Sequence, residues 1–273
     1  QDTEKGKNSR IFCETSGEEM NHLQALFPMI EKALGDAGIS KKELELIAVS
    51  TGPGSFTGIR IGMAAARTMA QALGLPMAAV PTLESFVYAE RTSAPEDGEA
   101  LEQSAHKEAL RGDPIIVCPM LDARRKQVYA AAYIIENAAR GADGGYREIV
   151  SAGAYDVSGF LALAVKAAEK EHAALIRMYG DGSDSYASAV SEAAASCSVD
   201  IEYALRSSRY QSAENVLMMA RAMAQSGDTV SCSEVKPDYM RKSEAERKLE
   251  AGQLGKKTGK KSEGFDWKLQ EKR

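Results

Sequence analysis

Apolar side chains recur at three- and four-residue intervals over two stretches of the chain, the pattern of helices that bury one stripe. From Glu18 to Leu34 the stripe is Leu23, Leu26, Phe27, Ile30 and Leu34, closed by Gly35 and Gly38. From Gln211 to Ser226 it is Ala213, Val216, Leu217, Ala220, Met223 and Ala224. Two unbroken apolar runs, Leu46-Ile47-Ala48-Val49 and Met77-Ala78-Ala79-Val80, predict strands covered on both faces of a parallel sheet. Between them Gly52-Pro53-Gly54 makes a turn, and a long helix from Phe56 to Leu73 stops at Gly74, a C-terminal cap. Arg10 to Thr15 reads as a short strand, Ser40 with Glu43 as a capping box, and Thr82 to Arg91 as a further helix.

The second half repeats the theme. Pro114 to Cys118 and the alternating Gln127 to Ile135 predict strands, and Tyr146 to Val150 pairs back as a hairpin across the 141–145 turn. A helix (Val157 to Lys170), a strand (Leu175 to Tyr179), a Gly180-Asp181-Gly182 turn and a helix (Ser183 to Ala195) follow. This order predicts an α/β protein with right-handed crossovers. It divides into an N-terminal lobe (1–92), a polar linker (93–113), a second lobe (114–206), a helix and segment returning to the body (207–248) and a mobile basic tail (249–273).

Composition narrows the function. An apolar fraction of 44% supports a packed core. No run approaches the roughly 18 apolar residues of a membrane span, and Gln1 to Gly6 lacks a signal-peptide pattern, so a soluble, cytoplasmic protein is expected. Cys13, Cys118, Cys197 and Cys232 are widely spaced and read as reduced packing thiols, with no metal-ligating cluster. The net charge is −5, yet Arg241 to Arg273 alone carries eleven Lys and Arg against six Asp and Glu. The body is therefore acidic, which argues against broad phosphate-backbone binding outside the tail. In the tail, Lys256-Lys257 and Lys260-Lys261 are either a solvated run or RNA phosphate contacts.

Gly52, Gly54, Ser55 and Thr57 form a glycine loop at a strand-to-helix junction, where free N–H groups could hold an anion. The loop lacks the Gly-Lys-Ser/Thr of a P-loop, so the alternative is a tight turn capped by Ser55. Beyond it, Gly58, Gly62 and Ala66 repeat at four-residue spacing beside Met63 and Met69, a small-residue stripe open to another helix or to the protein's own sheet.

The run from Gly52 to Gly62, GPGSFTGIRIG, resembles the signature of the bacterial TsaB family of tRNA threonylcarbamoyladenosine biosynthesis proteins. Three further matches follow in family order: Met120 to Arg125 with Gln127 to Ala130, Tyr179 to Gly182, and Val235 to Arg241 with Ala245-Glu246-Arg247. The resemblance implies a degenerate, two-lobed actin/Hsp70-like fold and a non-catalytic partner role. In that system a homologous transferase, TsaD, holds metal and nucleotide and modifies the adenosine beside the anticodon, and a TsaE-like ATPase joins the complex. It implies a partner interface of His22, Leu23, Leu26, Phe27, Ile30, Gly58, Ile59, Gly62, Met63 and Ala66, with a homodimer when the partner is absent and tRNA reached indirectly. His22 stays open between a surface or cap histidine and an interface contact.

Other residues follow from the same resemblance. Gly180, Asp181 and Gly182, with the first glycine loop, match the edges of a nucleotide cleft that has lost its chemistry. Asp122, Arg124 and Arg125 read as a structural ion pair between lobes. Tyr239 and Arg241 either pin the tail or bind a partner or tRNA. Where the transferase carries two metal-binding histidines, this sequence has Thr82 and Phe86, so neither metal nor cofactor is expected. The family's first hairpin has no match, which reads as a fragment, a misplaced gene start or a natural variant with an open sheet edge. The alternative function is an independent ATPase or peptidase-like enzyme of the same fold.

Overall fold

The computed structural model describes residues 10–16, 22–92, 113–136 and 145–241, and from Ile47 to Tyr179 the strands and helices follow the order the periodicity predicts. The 93–113 linker falls outside the described residues except for Asp113, as do most of the 141–145 turn and the whole 249–273 tail.

The first sheet pairs β1 (Ile47–Gly52) with β2 (Met77–Pro81) in parallel, Ile47 opposite Met77 and Val49 opposite Ala79. Their crossover is α2 (Phe56–Leu73), opened by Ser55, whose hydroxyl accepts the Gly58 N–H, and closed by Gly74 at φ 68°. That left-handed cap lets the Gly74 N–H reach the Ala70 carbonyl, a geometry glycine adopts without a Cβ penalty. Successive strand residues face opposite ways, so Val49 and Met77 meet Met63, Ala66 and Ala70 of α2. Ala78 and Val80 meet Met219 and Ala220 of a helix from Ala213 to Ser226 on the other side.

The second sheet has the order β5-β4-β3-β6-β7. β3 (Ile115–Asp122), β4 (Gln127–Ile135) and β5 (Tyr146–Asp156) are antiparallel neighbours, while β6 (Leu175–Tyr179) and β7 (Asp200–Tyr203) run parallel to β3. Ile116, Cys118 and Met178 pack under α4 (Val157–Lys170) and α6 (Ala187–Ser196) through Phe160, Ala164 and Val190. On the opposite face Val117, Ala131, Tyr133 and Tyr179 receive Phe86, Val87 and Ala89 of α3 (Ser85–Thr92). α3 also packs on the Ala213–Ser226 helix, numbered α7, so the covers of the two sheets meet as one helical pair. Residues 1–240 cluster as one unit and 241–273 as another, of which only Arg241 is described.

Four expectations are corrected. Arg10 to Thr15 forms no strand: Ile11 and Phe12 are exposed, and no described strand supplies the hydrogen-bonding ladder that a β-forming run needs. The third helix begins at Ser85, not Thr82, because the Thr82 hydroxyl bonds the Ser50 hydroxyl (2.5 Å) and its carbonyl accepts the Ser85 hydroxyl (2.8 Å), holding a turn. The Gly180-Asp181-Gly182 turn is the start of a short helix, α5 (Asp181–Ser185), separated from α6 at Tyr186. β7 was not anticipated, since its four residues carry too little periodicity to read.

α3 is fixed by buried charge as well as by apolar contact. Glu90 accepts the Tyr179 hydroxyl at 2.5 Å and pairs with the Arg177 guanidinium at 3.2 Å, with the Glu90 and Arg177 side chains 5% exposed. Burial, and then the Glu90 charge, push the Tyr179 phenol well up, so it stays a neutral donor. Removing one partner of a buried ion pair strands the other, at a cost of about 3–5 kcal/mol. Glu90→Ala is therefore expected to lose about that much in urea unfolding, and Tyr179→Phe about 1 kcal/mol, the worth of a hydrogen bond. A Glu90→Ala loss of the Tyr179→Phe size would mean that Arg177 is satisfied by another carboxylate, such as Glu202, which lies 3.8 Å from its guanidinium.

Candidate functional site

The glycine loop leaves the C-terminal end of β1 and is covered by the chain's own later segment. Gly52 has φ 120°, and a Cβ there would lie 2.5 Å from the Asp238 carbonyl oxygen, so only glycine lets the two backbones approach. The Asp238 N–H donates to the Thr51 carbonyl at 2.8 Å. Next to it Tyr239 stacks on Phe56 with ring centroids 5.1 Å apart and accepts the Arg60 Nε–H at 3.1 Å. Arg60 itself lies over the Phe56 ring at 4.1 Å. This geometry favours the tight-turn reading of Gly52, Gly54, Ser55 and Thr57, and for Tyr239 it favours pinning. The signal for the pin was present as an aromatic residue soon after Pro237.

The second glycine loop follows β6. Gly180 has φ 83°, and a Cβ there would meet the Met120 carbonyl oxygen at 2.1 Å. Asp181 accepts the Asp122 N–H at 3.2 Å, and the buried Ser183 hydroxyl returns to the Gly180 carbonyl at 2.7 Å. Asp122 accepts the Arg124 backbone N–H at 2.7 Å and the Tyr186 hydroxyl at 3.0 Å. Burial, and then this bond, raise the Tyr186 phenol above its usual range. Among the described residues no ion pair joins Asp122 to Arg124 or Arg125, which corrects the inter-lobe reading. Those arginines sit exposed in the β3–β4 hairpin at φ 61° and 58°, and the carboxylate is used to hold that left-handed turn. A charge two residues before the turn it caps looks, in sequence, the same as one waiting for a guanidinium.

The small-residue stripe on α2 divides. Gly58 is exposed and Gly62 half-buried, and a Cβ at Gly62 meets nothing within 4 Å. Met63 and Ala66 are 4% and 8% exposed, pressed on β1 and β2, and so are removed from the expected partner surface. The reason is geometric: four residues turn a helix by about 400°, so a four-residue repeat drifts about 40° per step and its third member rotates into the sheet. Ile59 is half-buried and lies against Gly52 and Gly54.

On α1 (His22–Ala37) Leu26 and Ile30 are half-buried and Phe27 is 50% exposed, while Ala25 is buried. The side chains of His22 and Leu23 lie outside the described residues. Lys32 pairs with Glu14 and ties α1 to the 10–16 segment.

The positions expected to have lost metal ligands are filled by packing. Thr82 is bonded to Ser50, and Phe86 has no exposed surface and lies 5.6 Å from the Tyr179 ring. Among the described residues no three His, Cys, Asp or Glu side chains gather as a metal shell, and no helix is long and apolar enough to cross a membrane. The four cysteines are free, and burial pushes the Cys118 thiol far up.

A family model described as TsaD, tRNA N6-adenosine threonylcarbamoyltransferase, matches residues 18–249. The chain belongs to this family. The tRNA threonylcarbamoyladenosine biosynthesis protein TsaB of Bacillus subtilis is 33% identical over 117 residues, 43% of this chain and 42% of the relative. An uncharacterized protein of Mycobacterium tuberculosis is 34% identical over 159 residues, 58% of this chain and 60% of the relative. The chain thus spans about half the length of the curated relatives it matches. The solved structure of YeaZ from Pseudomonas aeruginosa superposes with a TM-score of 0.52 at 22% identity, covering 81% of this chain and 85% of that one. A second Pseudomonas aeruginosa structure, described as similar to peptidase YEAZ, gives a TM-score of 0.55 at 22% identity, covering 81% and 84%. These likenesses show an actin/Hsp70-like fold, as expected for TsaB.

The two glycine environments give opposite expectations for one substitution. Gly62→Ala adds a methyl to open space in a helix and is expected to raise unfolding stability by up to about 1 kcal/mol. Gly180→Ala forces a left-handed Cβ into the Met120 carbonyl and is expected to lose more than about 2 kcal/mol. Chemical denaturation of both variants checks the pair, and equal effects would contradict the assignment of one glycine to a surface and the other to a close backbone approach.

Proposed function

We propose that this chain is a non-catalytic partner subunit of a threonylcarbamoyladenosine-forming complex, docking on a TsaD-like transferase that modifies the adenosine beside the tRNA anticodon. The observation that carries this reading is the α1 stripe. Leu26, Phe27 and Ile30 stay partly or largely exposed on α1, while α2 offers the open flank of Gly58 and Gly62. Covering apolar surface contributes about 25 cal/mol per Å², offset in part by association entropy. A glycine flank lets a partner helix approach at backbone distance, as a side chain at those positions would not.

The rest of the reading follows from the family. Thr82 and Phe86 serve packing, so metal and nucleotide chemistry belongs to the transferase, and tRNA is reached through it. A TsaE-like ATPase joins the same complex. In the transferase's absence the exposed stripe meets a second copy of the chain.

Gly62→Arg and Phe27→Glu are each expected to abolish co-purification with a TsaD-like subunit without lowering the thermal unfolding temperature of the isolated chain. Undiminished co-purification by both variants would refute the interface. The competing idea, an ATPase or peptidase acting alone, predicts ATP turnover by the isolated chain with Mg²⁺, and the docking account predicts none.

A further inference from the structure

Beside β2, the strand, Glu84 and the start of α3, the first residue of β5 and the end of α7 border a partly open pocket of about 490 Å³. That volume is within the range of small-molecule pockets, about 300–1,000 Å³. Its apolar lining includes Met219 and Met223, and its polar lining Glu84, Asp228, Ser226, Tyr88 and Tyr146. Among the described residues the lining contains two carboxylates and no Lys, Arg or His.

The polar groups are held in place. The Tyr146 hydroxyl donates to Glu84 Oε1 at 2.6 Å, and the rings of Tyr88 and Tyr146 meet edge to face at 6.2 Å. Burial first, and the bond to Glu84 second, push the Tyr146 phenol far up, so it remains a neutral donor. The same two rings already accept a cation from behind. The Arg91 guanidinium lies 5.0 Å from the Tyr146 centroid and 5.6 Å from that of Tyr88, outside the cavity lining.

We propose that this cavity binds an alkylammonium ion, its ammonium at Glu84 and Asp228 with the tyrosine rings beside it and its methylene stem on Met219 and Met223. Two carboxylates in a partly enclosed, low-dielectric wall attract a cation more strongly than they would in open water. A thioether floor adapts to a flexible stem and gives a neutral polar molecule nothing to bond. The site is separate from the α1 and α2 patches, and nothing in it depends on the docking role. The chemistry is that of a free di- or polyamine and also of a lysine side chain presented by another protein.

Isothermal titration calorimetry on the full chain at low salt separates these sources, with cadaverine and Nα-acetyl-lysine methylamide as cations and 1,5-pentanediol as the uncharged control. The expected result is saturable binding of at least one cation, none of the diol, and at least tenfold weaker binding to the Glu84→Gln/Asp228→Asn double variant. Asp228 is exposed, so Asp228→Asn alone keeps the fold and is expected to weaken binding severalfold. Binding of cadaverine assigns the site to free amines, and binding of the capped lysine alone assigns it to a protein side chain. Failure of both cations to saturate, equal affinity in both variants, or diol binding of the same strength would overturn the proposal.

Discussion

A carboxylate with almost no exposure must find a cation, and that requirement fixes the centre of this molecule. Glu90 meets Arg177 of β6 and the hydroxyl of Tyr179, and the helix bearing it cannot move without leaving charge unpaired in the core. The same helix packs on α7, which covers the first sheet, so the buried pair also fixes where the cover of one sheet meets that of the other. Thr82 and Phe86 lie just before and within this helix, and their side chains serve the turn and the core. A helix so constrained is a poor place to build a site that must rearrange around substrate and a good base on which to hold a fixed surface.

The two glycine loops obey the same logic. Each follows a parallel strand, where α/β proteins place their ligands. In this chain both are closed by the protein's own backbone: Asp238 over Gly52, and Met120 against Gly180. Their conformations persist because a neighbouring chain segment demands them. The polar side chains around them, Asp122, Asp181 and Ser183, are engaged in holding turns. Exposed apolar side chains remain on several elements, Phe27 on α1, Leu163 on α4 and Leu217 on α7 among them, and α2 adds the small-residue patch of Gly58 and Gly62.

Much of the fold was legible because it rests on short-range patterns. The limits of β4 and of α4 coincide with those read from alternation and helical spacing, and Gly74 stops α2 where a left-handed cap was expected. The failures share a different cause, in that each depended on a partner distant in the sequence. Arg10 to Thr15 has β-forming residues without a ladder, and Asp122 was read against its sequence neighbours when a hydroxyl 64 residues away, on Tyr186, decides its role. Ala66 was grouped with Gly58 and Gly62 by spacing, although helical drift turns it toward the sheet beside Met63. The Glu90–Arg177 pair left a usable signal, a charged residue in the middle of the otherwise apolar run Leu175 to Tyr179, whose only stable explanation is a buried counter-charge.

The central claim is that this chain acts through the surfaces of α1 and α2 and not through a reaction of its own. Hydrogen–deuterium exchange on the full chain, with and without a TsaD-like subunit and separately with ATP and Mg²⁺, tests it most directly. The account predicts slowed exchange on α1 and the first turns of α2 with the transferase, and unchanged exchange at both glycine loops with nucleotide. Protection of Gly52 to Thr57 and Gly180 to Ser183 by nucleotide, with α1 and α2 unaffected by the transferase, would contradict it.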